Sequence, residues 1–287
     1  MSSGIGPSIA KAPGMSREPA FIKAYPLSAK AATHTPLVFR AGLGTFEGLP
    51  WPSLEGIRDF AHFAGIGDGA VRTALSRAKA EGSISVEPDP GGRNRYILAP
   101  TSFEMGLAQI HSDRRLEGFL VAVFSFKSEE AEARSALRGL LKDYGFRKLA
   151  QNTYIHGRIE TEGLRKAIRG LGLDEHFFLF TCPEIDDEDL IKRILALFDI
   201  EGRRRELREY LVRLKAFLPD GLCDDELARR LLYVGPVHWE RIEASEPPFP
   251  AKHLPHDYAL AEIHRFYGKK IEEGQNAFLS YYEKVNR

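Results

Sequence analysis

The chain has 287 residues, 43% of them apolar and 28% charged, an ordinary globular composition that excludes a chain disordered throughout. That length suggests two or three domains. Lys plus Arg equals Asp plus Glu at 40 each, so no global field draws the chain to nucleic acid or membrane, and any such binding must come from a local patch.

Residues 1–33 carry Ser, Gly, Pro, Ala and Lys without a sustained period, and their apolar residues are scattered. The stretch predicts a mobile tail with no targeting segment, which leaves the cytoplasm as the expected compartment. Residues 34–112 predict helix, helix, helix, hairpin and helix. The first of these, near Pro36, is poorly marked because the segment holds two glycines. Ser53 is placed to cap a helix whose apolar face is Leu54, Ile57, Phe60, Ala61 and Ala64. Gly65-Ile66-Gly67 stops it, and Asp68 is placed to cap the next helix, lined on one side by Val71, Ala74, Leu75 and Ala78. Gly82 ends that helix. Two short strands, 83–87 and 95–98, then flank a turn-rich Pro-Asp-Pro-Gly-Gly loop.

From Phe119 the pattern changes. Residues 119–126 read as a buried strand, 128–144 as a helix, 147–149 and 153–156 as paired strands, 161–171 as a helix and 176–182 as a strand. That β-α-β-β-α-β order predicts a ferredoxin-like sandwich over residues 113–183. Residues 184–287 predict a helical domain. Its first helix starts at Asp186, Asp187, Glu188 and Asp189 and carries a stripe of Leu190, Ile194, Leu197 and Phe198. Further helices are expected at about 203–217, 224–239 and from Ala259 onward, after a proline-rich connection. The fold class expected is therefore α+β: an N-terminal winged helix-turn-helix, a central ferredoxin-like domain and a C-terminal helical domain.

The helix at 69–80 carries Arg72, Thr73, Ser76, Arg77 and Lys79, contains no acid, and keeps all five off its apolar face. Arginine forks reach guanine edges or phosphates, and short hydroxyls reach the groove floor. Arg93 and Arg95 flank the hairpin tip, where a wing would meet the backbone or minor groove. Basic residues on a helix are usually a solvated face; their concentration on this helix and wing favours double-stranded DNA.

These residues resemble a known family. The run Gly65-Ile66-Gly67-Asp68-Gly69-Ala70-Val71-Arg72-Thr73-Ala74-Leu75-Ser76-Arg77, then Glu81-Gly82 and Arg93-Asn94-Arg95-Tyr96-Ile97-Leu98, is similar to the phenylacetic acid degradation repressors, the PaaX family. Phe124-Ser125, Arg134, Leu137-Arg138 and Gly145-Phe146 resemble its central domain, and Pro250, Leu254-Pro255, Ala261 and Phe266-Tyr267 its C-terminal segment. Tyr258 stands where the family usually has Trp, and Ala259-Leu260 where a Gly is usual. The resemblance implies a homodimeric transcriptional repressor on an inverted-repeat operator. It implies release by an acyl-CoA effector such as phenylacetyl-CoA, hence a role in phenylacetate or related aromatic-acid catabolism. Arg203, Arg204, Arg205 and Arg208 have two readings. One is a helix face paired with Glu201, Glu206 and Glu209; the other is an anion site for the effector's CoA phosphates.

The rival class is a nucleic-acid-processing enzyme built on the central fold. The strand that would carry its metal ligand ends Phe124-Ser125-Phe126-Lys127, with no carboxylate, so metal-assisted hydrolysis lacks a ligand there. Ser76 and Lys79 match S-x-x-K but lack that enzyme class's partner motifs. His253 and His256, broken by Leu254-Pro255, read as loop histidines rather than a metal site. Cys182 and Cys223 form no close-spaced pair, which excludes a disulfide framework and fits a reducing compartment. The sequence thus predicts a protein with no catalytic residue, cofactor, metal or membrane anchor.

Overall fold

The computed structural model describes residues 20–42, 50–99, 118–157, 161–247 and 249–286. Two helices open it, α1 (Ala20–Ala24) and α2 (Ala29–Gly42). They overturn the expected tail for residues 20–33. Phe21 and Ile22 are buried, and the Phe21 ring stacks on Phe217 at 4.6 Å and meets Tyr210 edge-on at 5.9 Å. Residues 1–19 of that expected tail lie outside the described residues.

α3 (Leu54–Phe63) and α4 (Asp68–Ala80) follow, joined by a turn in which Gly65 takes φ 77°. Ser53 caps α3 as expected, its Oγ accepting from Gly56 N at 3.1 Å. Asp68 does not cap α4. Gly67 holds that position, and the Asp68 carboxylate instead meets His62 Nε2 at 3.0 Å and Arg58 Nε at 3.4 Å. The antiparallel hairpin β1 (Ile84–Pro88) and β2 (Asn94–Leu98) comes next. On its other side β2 meets the segment before α3, through a Ser53↔Arg95 bridge and a Tyr96 N–H donated to Pro52 O at 2.9 Å. Leu37, Ile57, Phe60, Val71, Leu75, Ile84 and Leu98 form the core of this part. The helix expected after the hairpin lies outside the described residues.

The central part runs β3 (Phe119–Phe124), α5 (Ala131–Asp143), β4 (Arg147–Ala150), β5 (Thr153–His156), α6 (Thr161–Gly170) and β6 (Phe177–Cys182). The sheet is antiparallel in the order β4-β5-β3-β6. Because side chains alternate along a strand, Leu120, Ala122 and Phe124 point to the helices. They bury Leu137 and Leu141 of α5 and Leu164 and Ile168 of α6. The opposite face offers Phe119 and Ile155 to the main core, where Phe119 meets the Phe249 ring at 5.4 Å.

Four further helices complete the chain: α7 (Glu188–Leu197), α8 (Ile200–Phe217), α9 (Asp224–His238) and α10 (Leu260–Asn286). A π-helical turn, Trp239–Glu243, extends α9. Asp187 caps α7, and Ile194 and Phe198 are buried as expected, but Leu197 is exposed. α9 and α10 also hold the N-terminal part. The Asp59 carboxylate of α3 accepts from Arg229 Nε at 3.0 Å and Tyr281 Oη at 2.6 Å. Burial opposes its charge, but those two donors prevail and keep the carboxyl below its ordinary value. No helix among the described residues is long and apolar enough to cross a membrane.

Candidate nucleic-acid interface

α4 buries Val71, Leu75 and Ala78 and leaves Arg72, Thr73, Ser76, Arg77 and Lys79 exposed. With 3.6 residues per turn, the exposed five divide into two adjacent stripes. Arg72, Ser76 and Lys79 form one. Thr73 and Arg77 form the other, along an open groove of about 380 Å³ between α2 and α4 that Lys30 and His34 also line. The Thr73 hydroxyl donates to Gly69 O at 2.9 Å, so its proton is already engaged within the helix.

The flanking acids each have a basic partner, although Glu81 lines the same groove as Thr73 and Arg77. Asp68 is held by Arg58 and His62 of α3, and Glu81 lies 3.7 Å from Lys30 of α2. Among the described residues, Arg72, Arg77, Lys79 and Arg93 have no ion pair within 4.0 Å. Cations without a local counter-charge are what a polyanion requires, because each phosphate they neutralise releases a condensed counterion.

The hairpin tip is ordered by Asp89. Its Oδ1 accepts from Gly91 N at 2.8 Å and Arg93 N at 2.9 Å, and Gly92 supplies the positive φ of 75° that the turn requires. The Arg93 side chain is left exposed at that tip. Arg95 is a correction. It is buried, donates Nε and Nη2 to Asp89 Oδ2 at 2.9 and 2.6 Å, and donates Nη1 to Asn286 O at 2.8 Å. Buried and with three N–H donors committed internally, this guanidinium is not presented to DNA; it ties the hairpin to the end of α10. The backbone donor Arg93, then Arg95, hold the Asp89 carboxyl below its usual range.

The C-terminal arginine cluster is largely occupied. Arg203 pairs with Glu206 at 3.2 Å and Glu246 at 3.3 Å, and donates Nη2 to Arg241 O at 2.6 Å. Arg204 pairs with Glu201 at 3.0 Å and, like Arg208, with Asp257. Arg205 is exposed and has no ion pair among the described residues. The paired-helix reading thus describes Arg203 and Arg204. Asp257 and Glu246 are partners that local spacing did not indicate, and Glu209 goes to Arg213 rather than Arg205.

At the end of β3 no strand carboxylate appears, but Glu130 reaches the following loop. Its Oε2 accepts from Lys127 N at 2.7 Å and its Oε1 lies 3.6 Å from His176 Nε2. The bond from Lys127 N orders that loop. Cys182 and Cys223 are free thiols.

Residues 117–191 match the family model described as the PaaX protein central Cas2-like domain. The chain is therefore PaaX-like through its central domain, and the match supports a PaaX-like regulator at the level of the family. The solved structure of the uncharacterized protein Rv0674 from Mycobacterium tuberculosis is similar, with a TM-score of 0.58 over 91% of this chain and 99% of that one, at 16% identity. At that identity the likeness speaks for the fold alone. No curated protein matches the chain.

Proposed function

We propose that the chain is a cytoplasmic, sequence-specific DNA-binding transcriptional repressor. α2, α3, α4 and the hairpin act as a winged helix-turn-helix, with α4 in the major groove and the loop after β1 as the wing. In this reading the winged unit starts at Ala29, with α2, rather than at residue 34. The observation that carries the proposal is the exposed cationic surface of α4, whose Arg72, Arg77 and Lys79 have no ion pair among the described residues. The bridge from Ser53 to Arg95 supports it by fixing the hairpin beside the start of α3.

The central and C-terminal parts hold the dimer interface and the effector site. One recognition helix spans few base pairs, so two half-sites on a two-fold axis are needed, with centres about 10 base pairs or a multiple apart. The effector is an acyl-CoA, with phenylacetyl-CoA the first compound to test. Arg205, exposed and unpaired among the described residues, is the member of the arginine cluster best placed to meet a phosphate. The test is selection of bound sequences from a random duplex pool by purified protein, then footprinting with and without phenylacetyl-CoA. An inverted repeat protected by a dimer and released by the thioester is expected. No enriched sequence would overturn the reading, and a protected site indifferent to acyl-CoA thioesters would remove the effector.

A further inference from the structure

His238 ends α9, Glu243 ends the π-helical turn after it, and His264 lies in the second turn of α10. In a regular α-helix, residues five apart point about 140° away from each other. Here Ala244 N donates to Trp239 O at 2.8 Å, the i→i+5 bond of a π turn, and this wider turn returns Glu243 to the face that holds His238. Pro236, which has no N–H to donate, already interrupts the α-helical ladder two residues before His238. Arg203 fixes the turn from outside by donating to the carbonyls of Arg241 at 2.6 Å and Ile242 at 3.3 Å.

Three ligand atoms of this group lie within 4.8 Å of one another. Glu243 Oε1 is 3.5 Å from His238 Nε2 and 2.8 Å from His264 Nε2. An ion with tetrahedral bonds of about 2.0–2.1 Å holds its ligand atoms roughly 3.3 Å apart, so the spacing suits such an ion. His264 Nε2 is buried and lies within ion-pair distance of the carboxylate, so the Nε2 atoms of both imidazoles converge on one oxygen of Glu243. Tyr267 and Tyr210 wall one side of His238, with ring centroids at 4.7 and 6.2 Å. The Glu243 side chain, 39% exposed, opens the other side to water.

We propose that His238, Glu243 and His264 bind one divalent cation of the zinc class. Two imidazoles and one carboxylate favour zinc, nickel or cobalt over calcium or magnesium, which prefer all-oxygen shells. Three protein ligands leave the fourth position to water, so the ion is exchangeable rather than locked in. It ties the end of α9 to the start of α10, and α9 is the helix that holds Asp59 of α3 through Arg229.

The full-length protein, stripped with a chelator, is titrated with Zn²⁺ by calorimetry and with Co²⁺ by visible absorption, and its thermal midpoint is followed. One ion per chain, a tetrahedral cobalt spectrum and a raised midpoint are expected, because a ligand that binds only the folded state stabilises it. Glu243→Gln and His264→Ala, both at partly exposed positions, should each weaken binding at least about tenfold, no less than loss of a supporting group typically does. His256→Ala, outside the group, should leave binding unchanged. Circular dichroism checks that each variant is folded. No saturable binding of either ion, or equal affinity in wild type and both ligand variants, would overturn the proposal.

Discussion

Arg93 and Arg95 stand two residues apart in one hairpin and meet different surroundings. Arg93 lies in the loop, where strand alternation does not apply, and is exposed; Arg95 lies in β2 and is buried on Asp89 and the Asn286 carbonyl. Sequence pattern made both wing residues because it saw charge and spacing but not the arrival of α10 from 191 residues away. Arg95→Ala should therefore lower the thermal midpoint, leaving the Asp89 carboxylate and the buried Asn286 carbonyl without that donor, whereas Arg93→Ala should leave the midpoint unchanged and weaken DNA binding. Equal midpoints for the two variants would contradict the assignment. His156 of β5 supplies a pH dependence. Burial first, then the nearby Arg147 charge, push its imidazole down to about 4. The unfolded chain, with an ordinary value near about 6.5, binds the proton more readily below that pH. The stabilisation is thus complete above about 6.5 and lost as pH falls toward 4, on the order of 1–3 kcal/mol. Denaturant melts from pH 7 to 4 should show a smaller loss in His156→Leu than in wild type.

α3 is the element on which the N-terminal part is mounted. Its cap residue donates Ser53 N to Asn286 Oδ1 at 2.8 Å, and a Cβ on Gly56 would stand 2.4 Å from that same oxygen. Asn286 is itself buried, so it has little room to move away. Gly56→Ala should destabilise the chain by about 1–3 kcal/mol, the usual penalty of an overpacked contact, measured by urea unfolding. No change would mean that the end of α10 is not firmly docked. Helices with their own apolar stripe, such as α3, α4 and α5, were legible in the sequence because their burial is local and periodic. So was the β-α-β-β-α-β order of elements in the central part, because its short apolar runs alternate with helical stripes or a turn. α1 was not legible, and α2 only in part: a weakly marked helix was expected from residue 34 onward, and it starts at Ala29. Phe21 finds its partners on α8 and α9. In the turn before Pro36, the Thr33 and Thr35 hydroxyls donate to the Ala29 and Ala31 carbonyls. The His238–Glu243–His264 group was hidden for a similar reason: a π turn is needed to align the first two, and no i, i+3 or i, i+4 spacing announces it.

At the scale of the whole molecule, charge is balanced, yet its distribution is uneven. Some arginines are tied to carboxylates, as Arg229 is to Asp59 and Arg204 to Asp257, while Arg72 and Arg77 of α4 and Arg93 at the hairpin tip have no ion pair among the described residues. A molecule of balanced charge whose α4 face carries cations without ion pairs should bind random DNA weakly and a matched site through a few strong contacts. The direct test is anisotropy titration of wild type, Arg72→Ala and Arg77→Ala on the selected operator and on a random duplex, over a series of salt concentrations. Loss of a base contact should cost about 1–3 kcal/mol on the operator alone, and loss of a phosphate contact should weaken both duplexes and reduce the salt slope by about one. Unchanged affinity and an unchanged salt slope in both variants would contradict the assignment of α4 as the DNA-reading helix.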